Sequence, residues 1–146
     1  MEFKNVLVPT DGSEYTETAI EAAVEFAKKI NGKITALYVL DQTMIANMPM
    51  DTAVRNVYDS LAAEGKEAVD SVRVKAEAAG VPVDISVKEG SPVKVILDES
   101  SKYDLIIMGT LGRTGMSKLL MGSVAERVVR ASSCPVLVVR ANTAGT

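Results

Sequence analysis

Five short apolar runs divide the chain, and segments with helical spacing of apolar residues separate them. Apolar runs of this length, bounded by turn residues, are typical of strands that are buried on both faces of a parallel sheet. The predicted strands cover residues 5–8, 33–40, 83–88, 104–108 and 135–139. Because strands and helices alternate, the pattern predicts a three-layer α/β/α fold in which right-handed crossovers place helices on both faces of a five-stranded parallel sheet.

The first two predicted helices have clear end signals. The first follows Asp11 and Ser13, whose side-chain oxygens can cap a helix N-terminus, and it ends at residues 31–32, an Asn-Gly pair. The second covers about residues 52–79 and stops at a glycine. Residues 41–50, which precede it, contain three methionines without clean periodicity and are predicted to form a long connection.

The last two predicted helices follow the third and fourth strands. Ser91 provides a cap for the third helix, and Pro92 fits its first position because a helix start needs no N–H there. The fourth helix is predicted over residues 123–132. We therefore expect one domain over residues 1–140, followed by a flexible, small and polar tail over residues 141–146.

Composition and charge narrow the function. Apolar residues make up 47% of the chain, yet no run approaches the roughly 18 to 20 apolar residues of a membrane span. Sixteen basic and nineteen acidic residues give a net charge of −3 without a cationic block, which argues against a general nucleic-acid binder. Because Met1–Lys4 leads directly into a strand without a secretion signal, we expect a cytoplasmic protein.

The counts of cysteine and histidine exclude several chemistries. Cys134 is the single cysteine, so neither an intramolecular disulfide nor a thiolate metal cluster can form. The chain has no histidine, which excludes Ser-His-Asp and Cys-His catalysis, histidine-ligated zinc and an imidazole general base. No catalytic residue is predicted.

A spaced set of glycines follows the fourth predicted strand. Gly109 and Gly112 end the strand, and Gly122 with Ser123 opens the fourth helix. Glycines let backbone N–H groups approach an anion, and a helix N-terminus adds unpaired donors and a positive dipole end. This spacing predicts a phosphate site, for which a nucleotide is the natural ligand. Arg113 and Lys118 in the intervening loop, and Arg127 in the helix, are candidates for neutralising phosphate charge.

Two common nucleotide motifs are absent. The chain has no G-x-x-x-x-G-K-[ST] segment, which excludes a P-loop ATPase. Asp41 follows the second strand, where a dinucleotide-binding fold carries its ribose acid, but the glycines follow strand four and lack the G-x-G-x-x-G spacing. We therefore exclude an NAD site.

The glycine spacing, together with three other segments, resembles the universal stress protein family in its ATP-binding branch. Those segments are residues 5–13 at the start, 36–39 in the middle, and 134–140 at the end, with 103–110 leading into the glycines. The resemblance covers nearly the whole chain, and four such fragments in this order are hard to obtain by chance. Leu111 departs from the pattern because relatives often carry histidine there, and Ala125 lacks a hydroxyl that some nucleotide-bound members carry.

The resemblance implies a Rossmann-like, adenine nucleotide alpha hydrolase-like fold with strand order 3-2-1-4-5. The ends of strands one and four would then face each other across a crevice. It also implies a homodimer through the last strand, residues 135–139. The implied nucleotide-binding residues are Pro9, Thr10, Asp11, Val39, Met108, Gly109, Leu111, Gly112, Arg113, Gly122, Ser123, Val124 and Ala125.

Several of these residues also have purely structural interpretations. Ser123 and Glu126 form an S-x-x-E capping box that needs no ligand. Asp11 can cap the first helix, or it can hold a ribose hydroxyl or a divalent cation, for which Mg²⁺ or Mn²⁺ is the fitting choice. Val39, whose backbone would bond the adenine edge by resemblance, is also a buried strand residue.

Three functions stay open at this point. The first is a cytoplasmic module that binds ATP, ADP or AMP and regulates a stress response through an unknown protein partner. The second is an enzyme, at most a slow metal-dependent ATPase. The third is a structural dimer that binds no nucleotide tightly.

Overall fold

The computed structural model of the protein describes residues 2–111 and 121–141. Nine helices and strands alternate along these described residues: β1 Asn5–Pro9, α1 Glu17–Ile30, β2 Lys33–Asp41, α2 Thr52–Ala78, β3 Val83–Gly90, α3 Pro92–Ser100, β4 Leu105–Gly109, α4 Ser123–Ala131 and β5 Val136–Val139. Two 3-10 turns, Glu14–Thr16 and Gln42–Met44, precede α1 and follow β2. No helix in the described ranges combines the length and apolar character that a membrane crossing requires.

The five strands form one parallel sheet in the order β3-β2-β1-β4-β5. The predicted fold class and strand order are therefore confirmed. From β1, the chain first places β2 and β3 on one side of the sheet and then β4 and β5 on the other. A crevice consequently opens beside β1 at the carboxyl ends of the strands, where ligands bind in sheets of this kind.

Both faces of the sheet are covered because its strand residues alternate between two apolar clusters. Ile34, Ala36 and Tyr38 of β2 pack with α1 and α2 residues on one face. Leu37, which lies between them in sequence, packs with α3 and α4 on the other face. This alternation follows from the two-residue period of side chains along a strand.

One close approach sets the distance between α2 and the sheet. Gly65 lies in the middle of α2, and a Cβ atom at this position would be 2.5 Å from Cδ1 of the Tyr38 ring. Tyr38 is only 4% exposed. The absence of a side chain at Gly65 therefore lets the aromatic ring pack against the helix backbone.

The start of α1 differs from its prediction. Neither Asp11 nor Ser13 is its N-cap; the N-cap is Thr16, which makes no side-chain capping bond. The Asp11 carboxylate instead accepts a hydrogen bond from the Ser13 N–H at 2.9 Å, so it stabilises a local turn before the helix. The end of α1 is as predicted, because Asn31 adopts a left-handed conformation with φ of 52°.

Asp104 joins the beginnings of two central strands. Its Oδ2 accepts hydrogen bonds from the N–H of Asn5 at 2.8 Å and of Lys4 at 3.0 Å. These backbone donors hold the pKa of Asp104 below its usual range, the Asn5 bond contributing most. Asp104 was predicted to begin the fourth strand, but it lies just before β4 and connects that strand to β1.

Candidate functional site

A cavity of about 450 Å³ opens at the carboxyl ends of the central strands. The ends of β1, β2 and β4 form its floor, and the N-terminus of α4 closes one side. Residues from α2 and α3, namely Leu61, Pro92 and Ile96, complete the described lining. The cavity therefore lies where the topology predicts a ligand.

The predicted site residues in the described ranges all line this one cavity. They are Pro9, Thr10, Asp11, Val39, Met108, Gly109, Leu111, Gly122, Ser123, Val124 and Ala125. Gly112, Arg113 and Lys118 lie outside the described residues. Arg127 is exposed and is not part of the lining. Segments separated by about a hundred residues are thus brought together by the fold.

The β1 end of the cavity is shaped by hydroxyl groups. Thr10 is 6% exposed, and its Oγ1 accepts a hydrogen bond from the Gly12 N–H at 3.1 Å. The Thr16 Oγ1 lies 3.2 Å from the same atom and donates to the Ser13 carbonyl at 2.9 Å. Gly12 has φ of 80°, a conformation that favours glycine. This network winds the segment after β1 into a turn that presents Asp11 to the cavity.

Asp11 also belongs to a second cavity, of about 490 Å³, that lies between the start of α1 and α2. Its lining includes the carboxylates of Glu17, Glu64 and Glu67. Thr10, Asp11 and Thr16 line both cavities. Asp11 therefore stands in the wall between a mixed apolar and polar cavity and an acidic one.

Hydrogen bonds join the end of β4 to the start of α4. The Gly122 N–H donates to the Thr110 carbonyl at 2.6 Å, and the Thr110 N–H donates to the Val139 carbonyl at 3.0 Å. The first helical bond runs from the Glu126 N–H to the Gly122 carbonyl. The N–H groups of Ser123, Val124 and Ala125 are consequently the donors that this helix start leaves without an intrahelical acceptor. They are the groups that an anion can contact.

The predicted capping box at Ser123 is wrong. The N-cap of α4 is Gly122, with an extended backbone of φ −62° and ψ 157°, and Ser123 is the first helical residue. Glu126 forms an ion pair with Arg130 at 2.9 Å instead of reaching back to the helix start. Ser123 is exposed and lines the cavity, and its side chain makes no capping bond to this helix.

Gly109 has a packing role in addition to its place in the cavity. A Cβ at this position would lie 3.2 Å from the Tyr15 carbonyl oxygen. Tyr15 belongs to the 3-10 turn before α1. The glycine therefore lets this turn pack against the end of β4, which brings the two halves of the site together.

Among the described residues, the charged groups that line the cavity are Asp11 and Asp41. Asp41 lines it together with Asp11, and the Asp41 Oδ1 accepts hydrogen bonds from both the N–H and the hydroxyl of Thr43, at 2.9 and 2.7 Å. Within residues 2–111 and 121–141 no group of three or more potential metal-ligating side chains occurs. A metal held here by Asp11 would need further oxygen ligands from a phosphate or from water, which suits Mg²⁺.

Sequence reasoning missed several residues of the cavity. These are Thr16, Leu37, Tyr38, Leu61, Pro92, Ile96 and Thr110, together with Asp41, which was considered only for a dinucleotide site. Thr110 and Tyr38 adjoin predicted residues, so a wider window around each strand end would have included them. Leu61 and Ile96 carry no such signal, because their place depends on how the helices pack.

The sheet has the order 3-2-1-4-5, and its cavity lies at the switch point beside a strand-end glycine and a helix N-terminus. This arrangement defines a Rossmann-like α/β protein with a cavity where sheets of this kind bind ligands. A sequence model of the universal stress protein family matches residues 2–140. The chain belongs to this family.

Individual relatives agree with this assignment. The universal stress protein MJ0531 of Methanocaldococcus jannaschii is 39% identical over 140 residues, which cover 94% of this chain and 82% of the relative. The structure of the universal stress protein UspA from Lactobacillus plantarum has a TM-score of 0.79 at 28% identity and covers 96% of this chain and 99% of its own. A family member from Arabidopsis thaliana, solved with AMP bound, has a TM-score of 0.65 at 21% identity, with 96% of this chain and 93% of that chain covered. At this identity, the likeness concerns the fold.

Proposed function

We propose that this protein binds adenine nucleotides in the cavity beside β1 and acts as a nucleotide-dependent regulator in a stress response. The observation that carries the proposal is the composition of that cavity: its lining combines the N-terminus of α4 with apolar side chains from β2, α2 and α3. Its volume, about 450 Å³, falls within the range of small-molecule sites. The AMP-bound relative is too distant to add more than the shared fold.

The cavity lining suits both the phosphates and the base of a nucleotide. The first turn of α4 offers unpaired N–H groups and the Ser123 hydroxyl, which favour a phosphate chain. Val39 of β2, Leu61 of α2 and Ile96 of α3 give the lining apolar side chains that suit a base. The nucleotide would therefore lie across the ends of β1 and β4, with its phosphates toward α4.

We also infer that Asp11 holds Mg²⁺ or Mn²⁺ with the phosphates. The Asp11 Oδ1 is already bonded to the Ser13 N–H, and this bond fixes the direction of the carboxylate. One carboxylate together with phosphate oxygens and water is a common arrangement for Mg²⁺. Such a metal would screen the repulsion between the carboxylate and the phosphates.

Slow ATP hydrolysis is the alternative function, and regulation is the better-supported one. The chain has no histidine to act as a base, and the carboxylates that line the cavity in the described residues are Asp11 and Asp41. Both already accept backbone hydrogen bonds. A regulator of this kind would act on a protein partner in the cytoplasm, where adenine nucleotides are abundant.

A homodimer through β5 completes the proposal. This strand lies at one edge of the sheet, and Leu137 is 42% exposed there. All four of its residues are apolar, and an exposed apolar edge favours pairing with another strand. Two copies can therefore pair about a two-fold axis through their β5 edges.

The direct test of nucleotide binding is Gly122→Val. Valine can adopt the extended backbone of Gly122, so the variant should fold, but its branched side chain would stand where phosphates approach the α4 N–H groups. We expect ATP affinity, measured by calorimetry, to fall at least about tenfold, which is 1.4 kcal/mol. Ala53→Val is the matched control, because it adds a branched side chain at the exposed start of α2 and outside the cavity.

Unchanged ATP affinity in a folded Gly122→Val variant would rule out the assignment. Wild-type protein incubated with ATP and Mg²⁺, followed by chromatography for ADP, distinguishes a binding module from a slow ATPase. Acid denaturation of the purified protein and anion exchange of the supernatant identify any nucleotide that co-purifies.

A further inference from the structure

Glu89 joins three segments of the chain that are far apart in sequence. It lies next to the last residue of the edge strand β3. One oxygen of its carboxylate accepts a hydrogen bond from the Tyr58 hydroxyl of α2. The other accepts one from the Gln42 Nε2 at 2.7 Å, in the 3-10 turn after β2. A single side chain thus connects α2, the end of β2 and the end of β3.

Each connected segment also supplies a residue of the cavity wall. Leu61 lies about one helical turn after Tyr58, and Asp41 immediately precedes Gln42. Pro92 follows Glu89 by three positions, after Gly90, whose φ of 139° turns the chain from β3 toward α3. The three wall residues come from α2, from the end of β2 and from the start of α3.

The main chain alone leaves this side of the cavity only partly fixed. The ladder between β2 and β3 extends to the pairs Leu40 with Glu89 and Asp41 with Gly90. These bonds set the two strand ends relative to each other, but they do not involve α2. Tyr58 and Leu61 of α2 pack against the apolar cluster that contains Leu40 of β2. The Tyr58 bond to Glu89 adds a polar link from α2 to the end of β3. Hydrogen bonds to an ionised carboxylate are stronger than those between neutral groups.

The state of the Tyr58 phenol is compatible with a lasting bond. The hydrogen bond to Glu89 raises the pKa of Tyr58 above its usual value, with smaller contributions from burial and from nearby carboxylates. The phenol therefore keeps its proton throughout the physiological range and remains a donor.

We propose that Glu89 is a positioning residue for the nucleoside end of the cavity. By holding Tyr58 and Gln42 on one carboxylate, it fixes the separation between the walls that carry Leu61, Asp41 and Pro92. The inference rests on the proposed nucleotide binding and assigns a role to residues that do not themselves line the cavity.

The test compares adenosine, AMP and ATP in calorimetric titrations of four single variants and one double variant. Glu89→Ala removes both bonds, and Tyr58→Phe removes one hydroxyl with little risk to folding. Glu89→Gln keeps an acceptor for Tyr58. Asp84→Ala is the matched control: it removes a carboxylate from the other end of the same strand, where Asp84 pairs with Lys33 at 2.5 Å away from the cavity.

For Glu89→Ala we expect the affinities for all three ligands to fall by the same factor, about 5- to 20-fold. An equal factor shows that the loss is at the nucleoside that the ligands share. Glu89→Gln should recover part of the loss. Tyr58→Phe added to Glu89→Ala should cost nothing more, because the acceptor is already gone. Asp84→Ala should bind like wild type.

Distinct outcomes overturn this inference and the proposed function. If wild-type protein binds none of the three ligands, nucleotide binding is refuted and the role of Glu89 with it. If wild type binds them and Glu89→Ala binds adenosine equally well, the positioning role alone is refuted. A loss for ATP that exceeds the loss for adenosine, or an equal loss in Asp84→Ala, also refutes it.

Discussion

The replacement of Gly65 by alanine tests whether the fold depends on the close packing of α2 against Tyr38. In an unconstrained helix interior this change stabilises by about 1 kcal/mol, because glycine is a poor helix former. Here the new Cβ would lie 2.5 Å from Cδ1, 2.8 Å from Cε1 and 3.1 Å from Cγ of the Tyr38 ring. Normal carbon contacts are about 3.5 to 4.0 Å, so the ring or the helix must move by close to 1 Å.

Movement of this size is costly because Tyr38 is 4% exposed and fixed on a central part of β2. Overpacking of a core costs typically about 1 to 3 kcal/mol, which exceeds the gain in helix propensity. We expect Gly65→Ala to lower the free energy of unfolding by about 0.5 to 2 kcal/mol, measured by urea denaturation with an unchanged m-value.

A second background separates the two opposing effects. In Tyr38→Val the ring atoms are absent, so Gly65→Ala should there become neutral or stabilising by up to about 1 kcal/mol. The difference between the two backgrounds gives the steric coupling. If Gly65→Ala stabilises the protein by the same amount with and without the ring, the close approach does not determine the stability of this packing.

Three further predictions concern charge, metal and assembly. Asp104 has a lowered pKa, so its contribution to stability is fully present above its unfolded value of about 3.9 and is lost as the pH falls through the lower pKa of the folded state. Asp104→Asn should therefore lower the melting temperature more at pH 7 than at pH 3, and equal losses at both would refute this. Asp11→Ala should remove most of the Mg²⁺ dependence of ATP binding. If wild-type protein binds ATP equally well with Mg²⁺ and with EDTA, Asp11 holds no metal and only stabilises its local turn. The Val139 carbonyl accepts a hydrogen bond from the Thr110 N–H, so the backbone polar groups of Val139 point toward β4. Those of Val138 point the other way, toward the open edge of the sheet. Val138→Pro should therefore be monomeric in light scattering and Val138→Ala dimeric, and a dimeric proline variant would exclude an interface at this edge.

Much of the fold could be predicted from the sequence because the strands are buried on both faces. Continuous apolar runs mark such strands, and their predicted ends lie within about two residues of the observed ones. The largest error concerns the start of α1. There a network of threonine hydroxyls around Thr10 and Thr16 forms a 3-10 turn, and the helix begins only at Glu17. Such a network depends on the fold, so the cap preferences of Asp11 and Ser13 did not reveal it.

Site residues at strand ends could be predicted from the sequence, whereas those contributed by α2 and α3 could not. Pro9 and Gly109 follow apolar runs, and parallel topology brings such ends together. Leu61 belongs to the core stripe of α2 by its spacing, and nothing in that spacing tells that its position borders a cavity. Glu89 is less visible still, since its partners are 31 and 47 residues away in sequence.

The hydrogen bond that the Gly122 N–H donates to the Thr110 carbonyl determines how this glycine can contribute to ligand binding. Because its N–H is already donated within the protein at 2.6 Å, Gly122 has no donor of its own to offer a phosphate. Its contribution is the empty space beside the next three N–H groups, which the start of α4 leaves without helical acceptors. The loss of affinity at this position should therefore follow the size of the introduced side chain, with alanine less harmful than valine. A glycine that acted by donating its N–H would give equal effects for both, because alanine and valine keep the same backbone donor.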